Sequence, residues 1–263
     1  MPAVWTRRRE DVGGLQLVVR GLGAEGPGLI MLHGLGVSGA VWQGIGRLLE
    51  PFTRLVAPDL RGHGDSDKPS AGYLPRDYVG DIAALLGHEP SRPLGVLGHS
   101  LGAVIATQLA ADRPELVPKL ILIDPPFDPE RRGDLIETVD RMRHDPPGVL
   151  ERELQRREPR MSDTYARAMA NLFRTAADGA FSAVIRAEPG FPGVVANLPN
   201  VQAPTLVVAA DPALDASLGP ETAERVTASL PNGRLLTIPG AAHAVHASKP
   251  RELAQAIVRF LSE

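Results

Sequence analysis

The residues best suited to chemistry lie around one serine. Ser100 is the centre of Gly98-His99-Ser100-Leu101-Gly102, which follows an apolar run and precedes a stretch rich in Ala and Leu. This order predicts a buried strand, a sharp turn and a helix, with the serine hydroxyl projecting above the sheet. The glycines leave room for strand and helix to pack closely. The alternative is a glycine-rich turn in which the serine only caps the helix.

The rest of the chain predicts a sheet that could hold such a turn. Two short runs around Gly13-Gly14 predict an opening hairpin. Apolar runs then alternate with helical periodicity, which indicates a parallel sheet covered by helices on both faces. The predicted strands are 29–32, 54–58, 94–97, 119–123, 205–209 and 235–238, and the predicted helices are 41–49, 74–86, 101–111, 221–230 and 251–261.

The alternation is interrupted between residues 125 and 200. This segment is rich in Arg and Glu and has helical periodicity over 135–143, 150–157 and 165–177. Because the charges are mixed in sign, they are typical of the solvated faces of amphipathic helices rather than of an anion site. We expect a helical insertion here.

Four motifs, at residues 33–36, 59–66, 98–102 and 238–243, resemble in this order those of the α/β-hydrolase superfamily in its serine-nucleophile branch, and the resemblance covers nearly all of the chain outside the insertion. The resemblance implies a mostly parallel eight-stranded sheet with helices on both faces and a helical lid after the sixth strand. Residues 1–124 and 201–263 would form the core, and 125–200 the lid. The loop 59–66 is similar to a family signature that is mainly structural, and we expect no catalytic role for it.

The resemblance also implies an oxyanion hole made of backbone groups. His33-Gly34-Leu35-Gly36 is similar to the family's His-Gly loop, in which the residue after the glycine supplies an N–H donor. By this match Leu35 is one donor. Leu101, which follows the serine, is the other, and two such N–H groups would stabilise the charge that develops on an attacked carbonyl oxygen.

A serine needs a base within hydrogen-bonding reach. Among seven histidines, His243 occupies the position that resembles the family's catalytic histidine, in a loop after the last strand. His246 lies three residues further on and is the competitor, with pocket lining or packing as its expected role. His99, beneath the serine, and His33, in the oxyanion loop, are expected to be structural.

The acid that orients the base has three candidates. Asp215 is the first choice, because the segment 215–221 resembles the family's usual spacing from the acid to the next helix. Asp211 is the second candidate. The turn 211–215 is longer than the common form in the family, so Asp211 lies nearer than Asp215 to the end of the preceding strand. Asp124 ends an earlier strand, where some members of the family carry their acid, although a turn-initiating aspartate before prolines also explains it.

Composition narrows the class of partner. The chain has 263 residues, 43% of them hydrophobic and 22% charged, as expected for a globular protein. A formal net charge of −3 gives no basic field for nucleic acid or an anionic membrane. The chain has no cysteine, so a thiol nucleophile is excluded. We expect a cytoplasmic protein that needs neither a metal nor another cofactor; the sequence does not indicate the oligomeric state.

A serine, a histidine and an aspartate with two N–H donors predict acyl transfer, with hydrolysis of a small to medium, fairly apolar carboxylic ester or lactone through an acyl-enzyme on Ser100. Serine at this position argues against dehalogenases and epoxide hydrolases that resemble the chain but carry aspartate there. The alternatives are a ligand receptor with little turnover, a cofactor-free perhydrolase and a C–C bond hydrolase. We expect the pocket between the core and the helical insertion; its candidate lining residues, for which helix core is the alternative role, are Phe127, Met142, Met161, Met169, Phe173, Phe181 and Phe191.

Overall fold

The computed structural model describes residues 4–23, 26–128, 134–157, 161–186 and 192–263. Eight strands form one sheet: β1 Thr6–Asp11, β2 Gln16–Leu22, β3 Gly28–Leu32, β4 Arg54–Pro58, β5 Gly95–His99, β6 Leu120–Ile123, β7 Thr205–Ala209 and β8 Gly233–Thr237. Their order across the sheet is β1-β2-β4-β3-β5-β6-β7-β8. β1 and β2 pair antiparallel, as do β2 and β4, and every other pair is parallel. The predicted mostly parallel, eight-stranded sheet is confirmed.

The central strands are hydrophobic because both of their faces are covered. Every residue of β3, β5, β6 and β7 is buried, as expected for parallel strands between two helical layers. β8 lies at the edge of the sheet, and its residues are exposed or half-buried. The opening hairpin turns at Gly13 and Gly14, which have φ of 83° and 90° and donate their N–H groups to the Asp11 carboxylate.

The helices are α1 Gln43–Leu49, α2 Pro75–His88, α3 Leu101–Asp112, α4 Asp134–Met142, α5 Val149–Arg157, α6 Asp163–Thr175, α7 Asp178–Ile185, α8 Pro220–Ala228, α9 Val245–Ser248 and α10 Pro250–Ser262. The first helix was predicted from residue 41, but the stretch Gly39–Trp42 is a 3-10 turn capped by Ser38. The short helices α7 and α9 were not predicted. None of the helices within the described ranges is both long and apolar enough to cross a membrane.

Two apolar layers hold the sheet, one on each face. On one face Trp42, Ile45, Leu253 and Ile257 pack α1 and α10 against the strands. On the other face α2, α3 and α8 pack against the sheet together with side chains of the segment between β6 and β7. The catalytic candidates lie at the carboxyl edge of the strands between these layers.

The segment between β6 and β7 is helical, as predicted: α4 to α7 are followed by a 3-10 stretch, Pro192–Asn200. Its charges pair with one another, for example Glu151 with Arg174 at 2.7 Å and Glu153 with Arg157 at 2.8 Å. The turn before α7 is tied to the rest of the fold, because Ala177 N–H donates to the Gly62 carbonyl (2.8 Å). We call α4 to α7 the insertion helices.

The loop after β4 is held by a buried carboxylate. Asp59 accepts hydrogen bonds from Arg20 (3.1 Å), Gly39 N–H (2.8 Å) and Asp65 N–H (3.0 Å), and its side chain is fully buried. A buried carboxylate requires such partners, since burying a charge without them is costly. These contacts give the 59–66 signature a structural part in the fold.

Candidate active site

Ser100 lies where β5 passes into α3, in a backbone conformation that side chains rarely adopt. Its φ is 53° and its ψ is −117°, a strained combination that persists only where the surroundings impose it. A side chain at Gly98 would overlap the carbonyl of Gly102, and one at Gly102 would overlap the carbonyl of Leu32. Both glycines are therefore required by close packing, as the motif predicted.

Two backbone N–H groups beside Ser100 are available to an acceptor. Neither the N–H of Leu35 nor that of Leu101 donates to any group that the structure describes. Leu101 is the first residue of α3, whose N-terminal dipole favours negative charge. Gly34 lies against the serine, since a Cβ on it would be 3.3 Å from the Ser100 Cβ. This places the loop of Leu35 next to the hydroxyl.

His243 is paired with a buried aspartate. Its Nδ1 lies 2.6 Å from Oδ2 of Asp124, a short contact typical of a charge-assisted hydrogen bond. The Asp124 side chain is fully buried, whereas that of His243 is 19% exposed. The backbone of His243 is fixed by a hydrogen bond, since His99 Nε2 donates to the His243 carbonyl oxygen at 3.0 Å.

Ser100 Oγ makes no hydrogen bond to any described residue. The His243 ring nevertheless packs against the ring of His99, the neighbour of Ser100 in the chain, with 4.6 Å between centroids. Hydrogen bonds between catalytic groups often tighten only when substrate is bound, so this geometry is compatible with His243 as a base.

The three candidate aspartates have different surroundings. Asp124, at the end of β6, has φ 40° and accepts hydrogen bonds from the N–H groups of Ser217 (2.7 Å) and Ala210 (3.4 Å) as well as from His243. Asp211 accepts from the N–H groups of Gly240 (2.7 Å) and Ala213 (2.9 Å). Asp215 is exposed and has no contact with His243.

The hydrogen bonds of Asp211 have an electrostatic effect. The Gly240 N–H, and after it the Ala213 N–H, lowers the pKa of the Asp211 carboxyl below its usual value, because both donors stabilise the charged form. The first of these bonds ties Asp211 to the loop that carries the histidine. The structure therefore brings Asp124 to His243, whereas Asp211 binds the backbone of the histidine's loop.

Ser217 is a polar neighbour of the site that the sequence interpretation did not include. Its Oγ lies 3.0 Å from Nδ1 of His243, and its N–H donates to the same Asp124 oxygen that contacts the histidine. No motif identifies it, since it lies in a turn of unusual length. Its position in the turn after β7, the strand that neighbours β6, was the available signal.

Two further histidines form a buried layer next to His243. His99 and His246 have ring centroids 4.8 Å apart, and His246 also packs on Trp42 at 4.7 Å. Burial lowers the pKa of His246 to about 3 and holds that of His99 well below its usual value, with further lowering by the charge of His243 in both cases. Both rings are therefore neutral at ordinary pH, in keeping with the packing roles expected for them.

The loop that carries Leu35 is fixed by a neutral histidine. His33 Nδ1 donates to the Gly34 carbonyl (2.7 Å), and its Nε2 accepts from Leu60 N–H (2.9 Å), so this pair of contacts assigns the proton to Nδ1. Burial lowers the pKa of His33 to about 4, against a smaller opposite effect of the Gly34 carbonyl. This agrees with the structural role expected for His33.

The insertion helices contact the loop of residues 33–36 through aromatic side chains. A Cβ on Gly36, whose φ is 76°, would overlap the rings of Phe173 and Phe181. Phe127 and Phe181 are buried in the larger apolar layer, whereas Met142, Met161, Met169 and Phe173 pack against it with part of their surface exposed. Phe191 lies outside the described residues. Within those residues no group of three or more His, Asp and Glu is arranged to hold a metal ion.

Comparison with known proteins decides the family. A family model described as "Alpha/beta hydrolase family" matches residues 29–256. The chain belongs to the alpha/beta hydrolase family. A mycobacterial group of relatives is 39% identical over 103 residues, which is 39% of this chain but only 30% of their own length.

Other relatives match more of the chain or carry informative names. The 2-(acetamidomethylene)succinate hydrolase of Mesorhizobium japonicum is 29% identical over 97% of this chain and 94% of its own. A crystal structure of E-2-(acetamidomethylene)succinate hydrolase superposes with a TM-score of 0.82 at 26% identity, covering 99% of this chain and 100% of that one. A pimeloyl-[acyl-carrier protein] methyl ester esterase of Vibrio campbellii is 38% identical over 41% of each chain. The relatives' names thus include a hydrolase and a methyl ester esterase.

Proposed function

We propose that this hydrolase cleaves a carboxylic ester or lactone through an acyl-enzyme on Ser100, with His243 as base and Asp124 as the acid that orients it. One observation carries the proposal: the 2.6 Å contact of His243 with a buried carboxylate, next to a serine held in a strained turn. A base and a group that orients it, beside a nucleophile, are the parts that acyl transfer requires.

The proposed cycle begins when His243 Nε2 accepts the proton of Ser100 Oγ as the oxygen attacks the substrate carbonyl. The negative charge then moves to the carbonyl oxygen, where the N–H groups of Leu35 and Leu101 stabilise it. His243 returns its proton to the leaving alkoxide, which leaves an acyl-enzyme. A water molecule, deprotonated by the same histidine, releases the acid and restores the serine.

Asp124 is preferred over Asp215 as the acid because its carboxylate is buried against the histidine, while Asp215 is exposed. A buried carboxylate at 2.6 Å keeps the imidazole proton on Nδ1 and stabilises the imidazolium that forms when Ser100 loses its proton. An exposed aspartate without a contact to the ring does neither.

The substrate proposal follows from the surroundings of the serine. We assign residues 125–200 to a lid and residues 1–124 and 201–263 to the core, so that a pocket would lie between them. The side chains nearest the oxyanion loop, Phe173 and Phe181, are apolar, which favours small to medium apolar acyl or alkoxy groups. The esterase among the relatives supports the reaction class.

The decisive experiment is intact-mass labelling with a fluorophosphonate, followed by peptide mapping. We expect one adduct, on Ser100, and none on Ser100→Ala. Turnover of p-nitrophenyl acetate should be sustained by the native chain and abolished in that variant. Failure to modify Ser100 would refute the nucleophile. A stoichiometric burst without steady turnover would favour the ligand-receptor alternative, and peracid formation on adding peroxide would favour the perhydrolase.

A panel of p-nitrophenyl esters of increasing acyl length tests the apolar pocket. We expect kcat/KM to rise from acetate to medium chains and to fall for acyl groups that carry a charge. An increase with charged acyl groups would contradict the apolar pocket while leaving the mechanism intact.

A further inference from the structure

Ser217 lies in the turn between β7 and α8, and it contacts both groups that would serve the nucleophile. We propose that Ser217 is a positioning residue, whose hydroxyl holds the His243 ring while its backbone holds the Asp124 carboxylate. This inference rests on the proposed function, since it assigns a role within the same site. The observation that carries it is the 3.0 Å separation between Ser217 Oγ and His243 Nδ1.

The direction of the hydrogen bond follows from the number of protons on the ring. Nδ1 of His243 faces two oxygens, the Asp124 carboxylate at 2.6 Å and the Ser217 hydroxyl at 3.0 Å. A carboxylate can only accept, so Nδ1 must carry the proton and donate it chiefly to Asp124. The Ser217 oxygen is then the second, weaker acceptor of the same N–H.

The backbone of Ser217 strengthens the arrangement. Its N–H donates at 2.7 Å to Oδ2 of Asp124, the same oxygen that receives the histidine proton. One residue is therefore bonded to both partners of the pair. Replacing Ser217 by alanine removes the hydroxyl but keeps this N–H, so the substitution separates the side-chain effect from the backbone effect.

The turn that carries Ser217 is fixed on both sides. Its neighbours Ala216 and Leu218 are buried, the first in the apolar layer of α1 and α10, the second in the layer of α2 and α3. With a buried anchor before and after it, the Ser217 Cα has little freedom, and its hydroxyl is presented to the ring without a large cost in conformational entropy.

The Ser217 oxygen, as a second acceptor, restricts a motion of the His243 ring that the Asp124 contact alone would allow. Held only by Asp124, the imidazole can rock about the Nδ1 contact, which moves Nε2 away from Ser100 and from the leaving group. The Ser217 oxygen lies beside the first acceptor and limits this rocking. We expect the effect in kcat rather than in KM, because a misplaced base slows proton transfer without weakening substrate binding.

The test compares Ser217→Ala and Ser217→Thr with Ser229→Ala as the matched control, since Ser229 Oγ bonds only the Arg225 carbonyl on an exposed helix end. We expect Ser217→Ala to lower kcat by about 2- to 10-fold, the range of one neutral hydrogen bond, with KM unchanged. Ser217→Thr, which keeps the hydroxyl, should recover most of the rate, and Ser229→Ala should match the native chain.

A second measurement reads the ring without turnover. Proton NMR of the histidine-labelled protein should show a downfield Nδ1–H resonance that His243→Gln removes. We expect Ser217→Ala to shift this resonance, Ser217→Thr to restore it and Ser229→Ala to leave it unchanged. If Ser217→Ala leaves both kcat and the resonance unchanged, the positioning role is overturned while Ser100 chemistry stands. If the resonance moves but the native chain has no turnover dependent on Ser100, the proposed function fails and the contact is upheld.

Discussion

Asp124→Asn tests the proposed acid with little change in shape. Asn has nearly the volume of Asp and tolerates positive φ as well as Asp does, so the backbone at φ 40° need not move. The carboxylate oxygens face only donors: His243 Nδ1 and the N–H groups of Ser217 and Ala210. The amide would retain one acceptor and introduce two donors. The buried negative charge is lost in either orientation.

The two orientations set the expected magnitudes. If the amide oxygen replaces Oδ2, it keeps His243 and Ser217, and the amide NH₂ faces the Ala210 N–H at a contact that is already long, 3.4 Å; this costs about 1 kcal/mol. The imidazolium then has no anionic partner. If the NH₂ faces His243, the histidine is driven to the wrong tautomer. Either outcome lowers kcat by about 10³- to 10⁴-fold, which is about 4–5.5 kcal/mol.

The assay measures kcat and KM for p-nitrophenyl acetate together with urea unfolding, for Asp124→Asn, Asp211→Asn and Asp215→Asn. We expect the large loss of kcat only in the first variant, with a free energy of unfolding within about 2 kcal/mol of the native value. Asp215→Asn should change both quantities little, since the side chain is exposed. A native-like kcat in Asp124→Asn, or the large loss in Asp215→Asn instead, would refute the assignment.

Two further predictions concern stability. Burial lowers the pKa of His33 to about 4 and that of His63 and His246 to about 3, from 6.5 in the unfolded chain. Below pH 6.5 the unfolded state therefore binds more protons than the folded state. The free energy of unfolding then falls by about 1.4 kcal/mol per pH unit for each histidine. Urea unfolding at about pH 7.5 and about pH 5.5 measures this loss, and equal free energies would contradict it. Gly98→Ala should destabilise by about 1–3 kcal/mol and slow labelling of the serine, because its side chain would overlap a backbone carbonyl. Gly80→Ala is the control, because a Cβ at this position on α2 meets nothing within 4 Å; it should stabilise the fold by about 0.5–1 kcal/mol. A similar melting temperature for Gly98→Ala and Gly80→Ala would argue against close packing at Gly98.

The sequence predicted the parallel core because burial on both faces leaves a clear pattern. β3, β5 and β6 were predicted from apolar runs; the bounds of β3 and β6 agree within about one residue, whereas β5 extends two residues further than predicted, through Gly98 and His99. The insertion helices were also predicted, with the exception of α7. That helix is short, begins Asp178-Gly179 and is apolar around most of its circumference, so neither length nor periodicity distinguishes it from a loop.

The choice among the aspartates could not be made from the sequence, because spacing does not give the direction of a carboxylate in a turn. Asp124 precedes two prolines, and this context is equally typical of a plain turn residue. Its positive φ, which aims the carboxylate at the histidine, leaves no mark in the sequence. Asp215 had the more familiar spacing, but the long turn after β7 leaves its side chain exposed and brings Ser217 to the ring instead.

The topology explains why two aspartates serve one histidine. β5 and β6 are neighbours in the sheet. Ser100 and Asp124, the residues with positive φ that follow these strands, are therefore adjacent at one edge of the sheet. The Ser100 N–H donates to the Ile123 carbonyl (3.1 Å). His243 comes from the loop after β8 and must cross the end of β7 to reach them. At that crossing Asp211 makes two hydrogen bonds to the loop after β8. Its N–H donates to the Ala241 carbonyl (2.8 Å), and its carboxylate accepts from the Gly240 N–H (2.7 Å). The contacts that hold His243 are thereby divided: Asp124, after the strand next to Ser100, contacts the ring, and Asp211, after the crossed strand, holds the loop.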